Sequence, residues 1–169
     1  DSAKQTVTLD YGLGVQLAND VLKLMGTNNK IIFIGNGASA TIANHASLDY
    51  MNQTGVQCIS VNDPAVITAF ANDFGYDGVF ERFMKVYYKK GDILVAVSSS
   101  GNSPNIANAV TYVKEQEGLV YTFSGFSSDN KLSKLTDNNF WVDSDKYNVV
   151  ESVHNLWLAM ICDLLIEKL

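Results

Sequence analysis

Four serine hydroxyls fall within six positions directly after an apolar run, and they are the clearest sign of chemistry in the chain. They are Ser98, Ser99, Ser100 and Ser103, and five β-prone residues at 93–97 precede them. Apolar residues then recur at helical spacing, with Ser103 as the predicted N-cap. Such a turn gathers backbone N–H groups and hydroxyls at a helix N-terminus, which favours anions. The turn contains no Lys or Arg. It predicts a site that holds a phosphate by neutral donors, although the same residue types also dominate ordinary turns.

A second turn of this kind, at 35–39, follows the first predicted strand. Its Gly-x-Gly-x-x-Ala pattern matches a loose dinucleotide-binding fingerprint, in which Asp63 would bind a ribose. A dinucleotide site would leave the serine turn without a use, whereas one sugar phosphate uses both turns. Its phosphate would lie at 98–103 and its hydroxyls near Asn36, Ser39 and Asp63. We therefore predict sugar-phosphate binding rather than nicotinamide or flavin binding.

His45 and Asp49 are the third candidate for chemistry. They lie four residues apart in a predicted helix at 40–51, so both side chains project from one face. An imidazole and a carboxylate at this spacing can bind a metal ion together, or act as an acid and a ligand. The same spacing also occurs where a helix histidine is only hydrogen-bonded and has no catalytic role. The residues alone leave the functional and the structural interpretation open.

The elements that must position these groups alternate along the chain. Short apolar strands are predicted at 30–34, 57–61, 93–97, 119–123 and 140–142, with helices between them. This alternation predicts a three-layer α/β fold, in which a five-stranded parallel sheet carries helices on both faces as in flavodoxin-like folds. Ligands of such sheets bind beyond the carboxyl ends of the strands, at the topological switch point. Both turns lie at such ends, so they can converge.

Composition and charge narrow the function classes. The 169 residues include only two prolines, so 1–169 is predicted to be a single domain, and its N-terminal helix, within 1–26, packs on that domain or at a subunit interface. The net charge of −6 argues against direct nucleic-acid binding. Cys58 and Cys162 are expected in the core rather than in a disulfide. No membrane-length apolar run and no signal peptide is visible, which predicts a cytoplasmic protein without a membrane segment.

A long apolar helix is predicted at 149–169. Its apolar residues lie on nearly all sides, and such a helix is usually buried between layers or in a subunit interface. We therefore expect a homo-oligomer.

Several spaced motifs together resemble the sugar isomerase (SIS) domain, and most closely its phosphoheptose isomerase branch. In the family's order they are Gly35-Asn-Gly-Ala-Ser39, His45 with Asp49, Asn62-Asp63, Ala71-Asn-Asp-Phe-Gly-Tyr76 and Ser98-Ser-Ser-Gly-Asn-Ser-Pro-Asn105. The resemblance covers nearly the whole chain and implies a tetramer that acts on sedoheptulose 7-phosphate, with its sites at subunit boundaries. It implies substrate contacts at Asn36, Gly37, Ala38, Ser39, Asp63, Ser98, Ser99, Ser100 and Ser103.

The same resemblance implies a zinc ion and catalytic carboxylates, and here the chain departs from the family pattern. Asp49 stands where the family has Glu, and Glu151 where it has Gln. Ala159 stands where the family has a catalytic His in the final helix. The implied catalytic residues are Asp49 and Glu151, and the implied zinc ligands are His45, Asp49 and Glu151. His154 is retained, but it lies about 140° around the helix from position 159.

Three functions are compatible with these residues. An aldose–ketose isomerase needs a base that moves a proton between adjacent carbons, and an acid or metal that polarises the carbonyl. His45, Asp49 and Glu151 are the candidates for these roles. The DnaA initiator-associating proteins resemble the same branch, and they resemble this chain in lacking the final-helix His, which points to a non-catalytic scaffold for a protein partner. The third candidate function is a sensor that binds a phosphosugar without converting it. We predict the isomerase, with turnover impaired by Ala159.

Overall fold

Strands and helices alternate through residues 10–169, the part of the chain that this computed structural model describes. The strands are β1 (Ile31–Gly35), β2 (Cys58–Ser60), β3 (Ile93–Val97), β4 (Leu119–Ser124) and β5 (Asn139–Trp141). The helices are α1 (Tyr11–Leu22), α2 (Ala38–Thr54), α3 (Pro64–Phe74), α4 (Val79–Tyr87), α5 (Pro104–Glu115), α6 (Lys131–Leu135) and α7 (Tyr147–Ile166), and a short 3-10 turn (Tyr76–Gly78) joins α3 to α4.

The five strands form one parallel sheet in the order β2-β1-β3-β4-β5. This confirms the predicted α/β class. In the register of the sheet, Ile31 of β1 lies opposite Cys58 on one side and Ile93 on the other. The chain therefore changes direction across the sheet between β1 and β3. In a sheet of this order the crevice at that switch point is the expected ligand site.

Helices cover both faces of the sheet, and the side chains of β1 show why. Phe33 packs in the core formed with α1, α2 and α7, while Ile32 and Ile34 pack in the core formed with α4, α5 and α6. Successive strand residues point to opposite faces, so a strand covered on both faces must be apolar throughout. All five residues of β1 are buried.

The N-terminal helix α1 packs on the domain through Leu17 and Val21, which belong to the same core cluster as α7. Asp10 caps it by accepting a hydrogen bond from the Leu13 N–H at 3.0 Å. The helix ends at Leu22, earlier than the predicted end at Gly26. Beyond Leu22 the backbone hydrogen bonds join residues three positions apart instead of four, so the chain leaves the α-helical conformation. Residues 1–9 of the segment predicted to contain this helix lie outside the described residues.

The terminal helix α7 is amphipathic rather than buried on all sides. Its buried face comprises Val150, Val153, His154, Trp157, Leu158, Ile161, Cys162 and Leu165. Its other face exposes Leu156 and Met160. Within residues 10–169, α7 is the one helix with the length and composition to cross a membrane, but 44% of its most apolar stretch is buried inside the domain. The core of a soluble protein accounts equally well for such a helix.

Candidate functional site

The turns after β1 and β3 meet at the switch point and enclose a cavity of about 190 Å³. Its lining residues come from three separate segments of the chain: Asn36, Ser39, Ser98, Ser99, Ser100, Ser103, Tyr147 and Glu151. The sequence predicted seven of these eight as site residues, and the structure brings those seven together. The eighth, Tyr147, was not predicted.

Three helices begin at this cavity. Ser39 lies in the first turn of α2, Ser103 directly precedes α5, and Tyr147 is the first residue of α7. A helix N-terminus carries partial positive charge and free N–H groups, so three of them favour an anion between them. No Lys or Arg lines this cavity among the described residues. The helix ends and hydroxyls are therefore the groups available to hold a phosphate.

The serine turn is held in shape from behind by the segment that leads into α6. Gly101 adopts a φ of +63°, and a Cβ added there would collide with the side chain of Asn130. Its N–H donates to the Ser98 carbonyl at 3.0 Å, and its own carbonyl accepts from the Leu132 N–H at 3.1 Å. The Asn102 side chain accepts a further bond from the backbone of α6. Glycine is therefore required at position 101 both for conformation and for space.

Three of the serine hydroxyls face other groups of the same cavity. Ser99 Oγ donates to Glu151 Oε1 at 3.2 Å, and Ser98 Oγ lies 3.3 Å from Ser103 Oγ. Ser103 occupies the predicted N-cap position of α5, but its hydroxyl oxygen faces Ser98 rather than the backbone of the helix. A phosphate that enters the cavity can take over these hydroxyl donors, because each hydroxyl rotates freely about its C–O bond.

Asn36 reaches the cavity with most of its hydrogen-bonding capacity already used. Its Oδ1 accepts from the Tyr76 hydroxyl at 3.0 Å and from Asn105 Nδ2 at 3.0 Å, and its Nδ2 donates to Asn105 Oδ1 at 2.9 Å. A primary amide has two N–H donors, so one remains for a ligand. Asn36 can therefore donate to a phosphate or to a sugar oxygen, and the buried Asn105 fixes its orientation.

Glu151 also lines a second, more open cavity of about 410 Å³ next to the first. This cavity includes Ala38 and His45. His45 Nε2 lies 3.2 Å from Asp49 Oδ2, and its Nδ1 lies 3.4 Å from the Asn155 side-chain oxygen. The two cavities together exceed the lower bound of roughly 300 Å³ that small-molecule sites usually show. A ligand anchored at the serines can therefore extend past Glu151 toward His45.

Asp49 lines neither of these two cavities. It faces a void of about 10 Å³ that it shares with His45 and Ala159, about enough for one water molecule. Ala159 is exposed at the edge of this void. The position at which the family pattern has a histidine is thus directly beside the His45–Asp49 pair, and the alanine leaves it without a side chain that can transfer a proton.

The predicted zinc ligands do not form one set within a single chain. Among the described residues, no group of three or more His, Cys, Asp and Glu side chains is placed to hold a metal ion. His45 pairs with Asp49, while Glu151 accepts from Ser99. Two donors leave a zinc site short of the three or four protein ligands that it normally has.

A comparison with known families agrees with this geometry. The family model of the SIS domain matches residues 15–125. The chain belongs to the SIS-domain family.

Several relatives of this SIS domain are named phosphoheptose isomerases. The chain is 31% identical to phosphoheptose isomerase 2 of Campylobacter jejuni, over 98% of this chain and 87% of that protein. The structure is similar to that of a phosphoheptose isomerase from Neisseria gonorrhoeae, with a TM-score of 0.84 and 28% identity over 92% of this chain and 86% of that one. It is also similar to a phosphoheptose isomerase from Francisella tularensis, with a TM-score of 0.85 and 26% identity over 93% and 86% of the two chains.

Two predicted contacts of this SIS domain lie apart from both cavities. The Asp63 side chain caps α3, where it accepts from the N–H groups of Ala65 at 2.8 Å and Val66 at 3.0 Å. Gly37 is the N-cap residue of α2, with a φ of +54°. Neither residue is among those that line the two cavities. Their contacts with a substrate stay predictions.

The retained histidine of the final helix, His154, is a core residue of the SIS domain. Its side chain is fully buried, and Nε2 donates to the Ser124 carbonyl at 3.1 Å. Burial penalises the imidazolium and lowers the pKa of His154, while the hydrogen bond to Ser124 raises it by a smaller amount. The net result is a pKa of about 4. Among the described residues, Nδ1 has no hydrogen-bond partner. His154 therefore stays neutral and cannot replace the missing histidine at position 159.

Tyr147 is the cavity residue that the sequence did not indicate. The predicted helix began at Val149, two residues after the true start of α7. Tyr147 precedes Glu151 by one helical turn, so both project from one face, and its ring packs edge-on against Phe126 with 4.8 Å between centroids. An aromatic residue one turn before a site carboxylate is the signal that would have identified it.

Proposed function

We propose that this chain binds a phosphorylated sugar and interconverts its ketose and aldose forms, as a phosphosugar isomerase of the phosphoheptose type acting on sedoheptulose 7-phosphate. One observation carries the proposal. A hydroxyl-lined cavity at three helix N-termini, suited to a phosphate, also contains the carboxylate of Glu151. The names of the relatives over nearly the full chain support the same reaction.

Each part of the site has a role in the proposed reaction. The serine turn holds the phosphate, and the sugar extends past Glu151 toward His45. The Glu151 carboxylate removes a proton from the carbon beside the ketose carbonyl and returns it to the former carbonyl carbon, so one C–H bond breaks and another forms. His45, oriented by Asp49, carries the hydroxyl proton from one sugar oxygen to the other. Asp49 thus acts through His45, because it lines neither cavity.

Zinc at His45 remains a prediction, and the proposed steps use no metal. The two donors of the His45–Asp49 pair need further ligands, which a neighbouring subunit or Glu151 in another rotamer would have to supply. Metal analysis of protein purified without chelators tests this. A zinc content of about one ion per chain would support the prediction. A zinc content that is the same in the native protein and in His45→Ala would contradict it.

Incubation with sedoheptulose 7-phosphate, followed by NMR, tests the proposed function directly. We expect conversion to the aldose, with Ser99→Ala/Ser100→Ala weakening sugar-phosphate binding by calorimetry because two donors to the phosphate are lost. Thr111→Ala is the matched control, since this hydroxyl lies on α5 outside both cavities. Binding that the double serine variant leaves unchanged would refute the assigned phosphate site.

A non-catalytic phosphosugar binder is the second candidate, and Ala159 favours it. The void beside His45 and Asp49 lacks the proton-transferring side chain of the family pattern, while the serine turn is complete. A binder could serve as a sensor or as a scaffold for a protein partner. Tight sugar-phosphate binding without conversion at high protein concentration would decide for this alternative.

A homo-oligomer, a tetramer by the family resemblance, is part of the proposal. The exposed faces of the paired helices α2 and α7 carry Leu48, Met51, Leu156 and Met160, and no residue of α3 is buried. Exposed apolar side chains on adjoining elements are typical of subunit interfaces. Light scattering of the purified protein measures the assembly. A cytoplasmic location is also proposed, since the thiols of Cys58 and Cys162 are both free.

A further inference from the structure

A chain of hydrogen bonds joins the backbone of α5 to Asn36 in the first cavity. It begins at the N–H of Ile106, which donates to Asn105 Oδ1 at 3.0 Å. A backbone N–H can only donate, so the atom that faces it must be the oxygen of the Asn105 amide. Asn105 is buried, and this bond therefore fixes which way its amide points.

The amide of Asn105 in turn determines the orientation of Asn36. Asn105 Oδ1 also accepts from Asn36 Nδ2 at 2.9 Å, and Asn105 Nδ2 donates to Asn36 Oδ1 at 3.0 Å. If the Asn36 amide turned over, N–H would face N–H and oxygen would face oxygen, and both hydrogen bonds would be lost. The backbone of α5 thus permits only one orientation of the Asn36 amide.

Tyr76 is the outer member of this chain of hydrogen bonds. It lies in the 3-10 turn between α3 and α4, its side chain is 54% exposed, and it lines neither cavity. Its hydroxyl donates to Asn36 Oδ1 at 3.0 Å and occupies the second lone pair of that oxygen. A hydroxyl can donate or accept, so Tyr76 is compatible with either orientation of Asn36, whereas Asn105 is compatible with one.

We propose that Asn105 and Tyr76 are positioning residues that make Asn36 present an N–H donor, rather than a carbonyl oxygen, to an anionic ligand. The inference rests on the phosphosugar binding of the proposed function, but it does not require turnover. A carbonyl oxygen turned toward a phosphate would repel it. Asn105 sets the polarity of Asn36, and Tyr76 occupies the oxygen that would otherwise remain free.

Calorimetry with sedoheptulose 7-phosphate measures the contribution of each residue. Without Asn105, the Asn36 side chain can adopt about six states, from three χ1 wells and two amide orientations. Affinity falls with the fraction in the productive state, so Asn105→Ala should weaken binding about three- to sixfold. Asn36→Ala removes the donor itself and should weaken binding about tenfold or more. Tyr76→Phe should weaken it less than about twofold, because Asn105 still fixes the amide.

A double-mutant cycle distinguishes positioning from a merely structural role. In the Asn36→Ala background, Asn105→Ala should cause no further loss of affinity, because Asn105 acts only through Asn36. A disturbed N-terminus of α5 would instead weaken binding in both backgrounds. Asn108→Ala is the matched control. The Asn108 amide also joins α5 to the 3-10 turn, through a bond of 3.0 Å to the Asp77 carbonyl, but it lines neither cavity. Asn108→Ala should leave the affinity unchanged.

The outcomes separate this inference from the proposed function. Native affinity in Asn105→Ala or in Asn36→Ala overturns the inference while the phosphate site stands. An equal loss from Asn105→Ala in both backgrounds, or from Asn108→Ala, also overturns it. A loss in Tyr76→Phe as large as that in Asn105→Ala contradicts the assignment of the polarity to Asn105. Failure of the native protein to bind sedoheptulose 7-phosphate, or binding that Ser99→Ala/Ser100→Ala leaves unchanged, refutes the phosphosugar site itself.

Discussion

Mild acid should destabilise this protein through one residue, His154. The imidazole is fully buried and its pKa is about 4, against 6.5 for an ordinary histidine. Between these two values the unfolded chain binds a proton that the folded chain does not. Stability from this residue is therefore complete above pH 6.5 and is lost as the pH falls toward 4.

The size of the effect follows from the two pKa values. At 1.36 kcal/mol per unit of difference, the whole shift corresponds to about 3 kcal/mol, and about 2 kcal/mol of it is lost between pH 8 and pH 5. Other groups titrate in the same range, so the prediction concerns the difference between variants. In His154→Gln the side chain can still donate to the Ser124 carbonyl but does not titrate, so it should lose about 2 kcal/mol less over this interval.

Urea denaturation at pH 8, 7, 6 and 5, at one protein concentration, measures the difference. His45→Gln is the matched control, because the chain has only two histidines and His45 is exposed. It should retain the pH dependence of the native protein. Parallel curves for the native protein and His154→Gln would refute the reasoning, since burial would then impose no penalty on the charged form.

Three further changes test other parts of the structure. Gly101→Ala should lower the free energy of unfolding by more than Gly26→Ala does, as measured by chemical denaturation. Both positions have a positive φ, which alone costs about 1 kcal/mol for alanine, but only the Cβ at position 101 would collide with another side chain. Asp92→Asn should lower the free energy of unfolding by about 3 kcal/mol, because this carboxylate is fully buried and the substitution leaves its partner Lys30 without a counter-charge. Asp129→Asn should lower it by under about 1 kcal/mol, because the ion pair of Asp129 with Lys134 is exposed. Ala159→His should raise kcat roughly 100-fold or more by restoring proton transfer, and Ala159→Gln should not; equal rates for the two variants would contradict the prediction that the alanine at position 159 impairs turnover.

The carboxylate of Asp92 also shapes the acid limit of stability. Burial acts to raise its pKa, but the hydrogen bonds from Lys30, from Asn29 and from the N–H groups of Lys89 and Lys30 lower it below the ordinary value. A group with a lowered pKa stabilises the fold above its unfolded pKa, and this stability is lost as the pH falls through the folded one. Its contribution therefore persists at pH 5, where that of His154 has largely gone.

The fold and the phosphate end of the site could be predicted from the sequence because both depend on local patterns. Apolar runs such as 93–97 identify strands, and a turn that follows a parallel strand must lie at its carboxyl end. The serine turn and the turn at 35–39 therefore had to meet once the sheet formed. The class of the sheet, the convergence of the turns and the core position of Cys162 are all confirmed.

The catalytic end could not be predicted in the same way, because it depends on side-chain directions and on partners distant in the sequence. The spacing of His45 and Asp49 correctly predicts one helix face, but not that Asp49 lies behind His45, away from the cavities. The pairing of Asn36 with Asn105 joins residues 69 positions apart. The bond between Ser99 and Glu151 joins residues 52 positions apart. No local pattern contains these contacts.

The attachment of the serine turn to α6 has a consequence for the speed of binding. The backbone bonds from Leu132 to Gly101, and from Lys131 to the Asn102 side chain, order the turn when the chain folds. The conformational entropy of the turn is therefore lost before a ligand arrives, and the association step need not wait for a loop to close. Helix α6 thus contributes to ligand binding by ordering the turn in advance, although no residue of α6 lines the cavity.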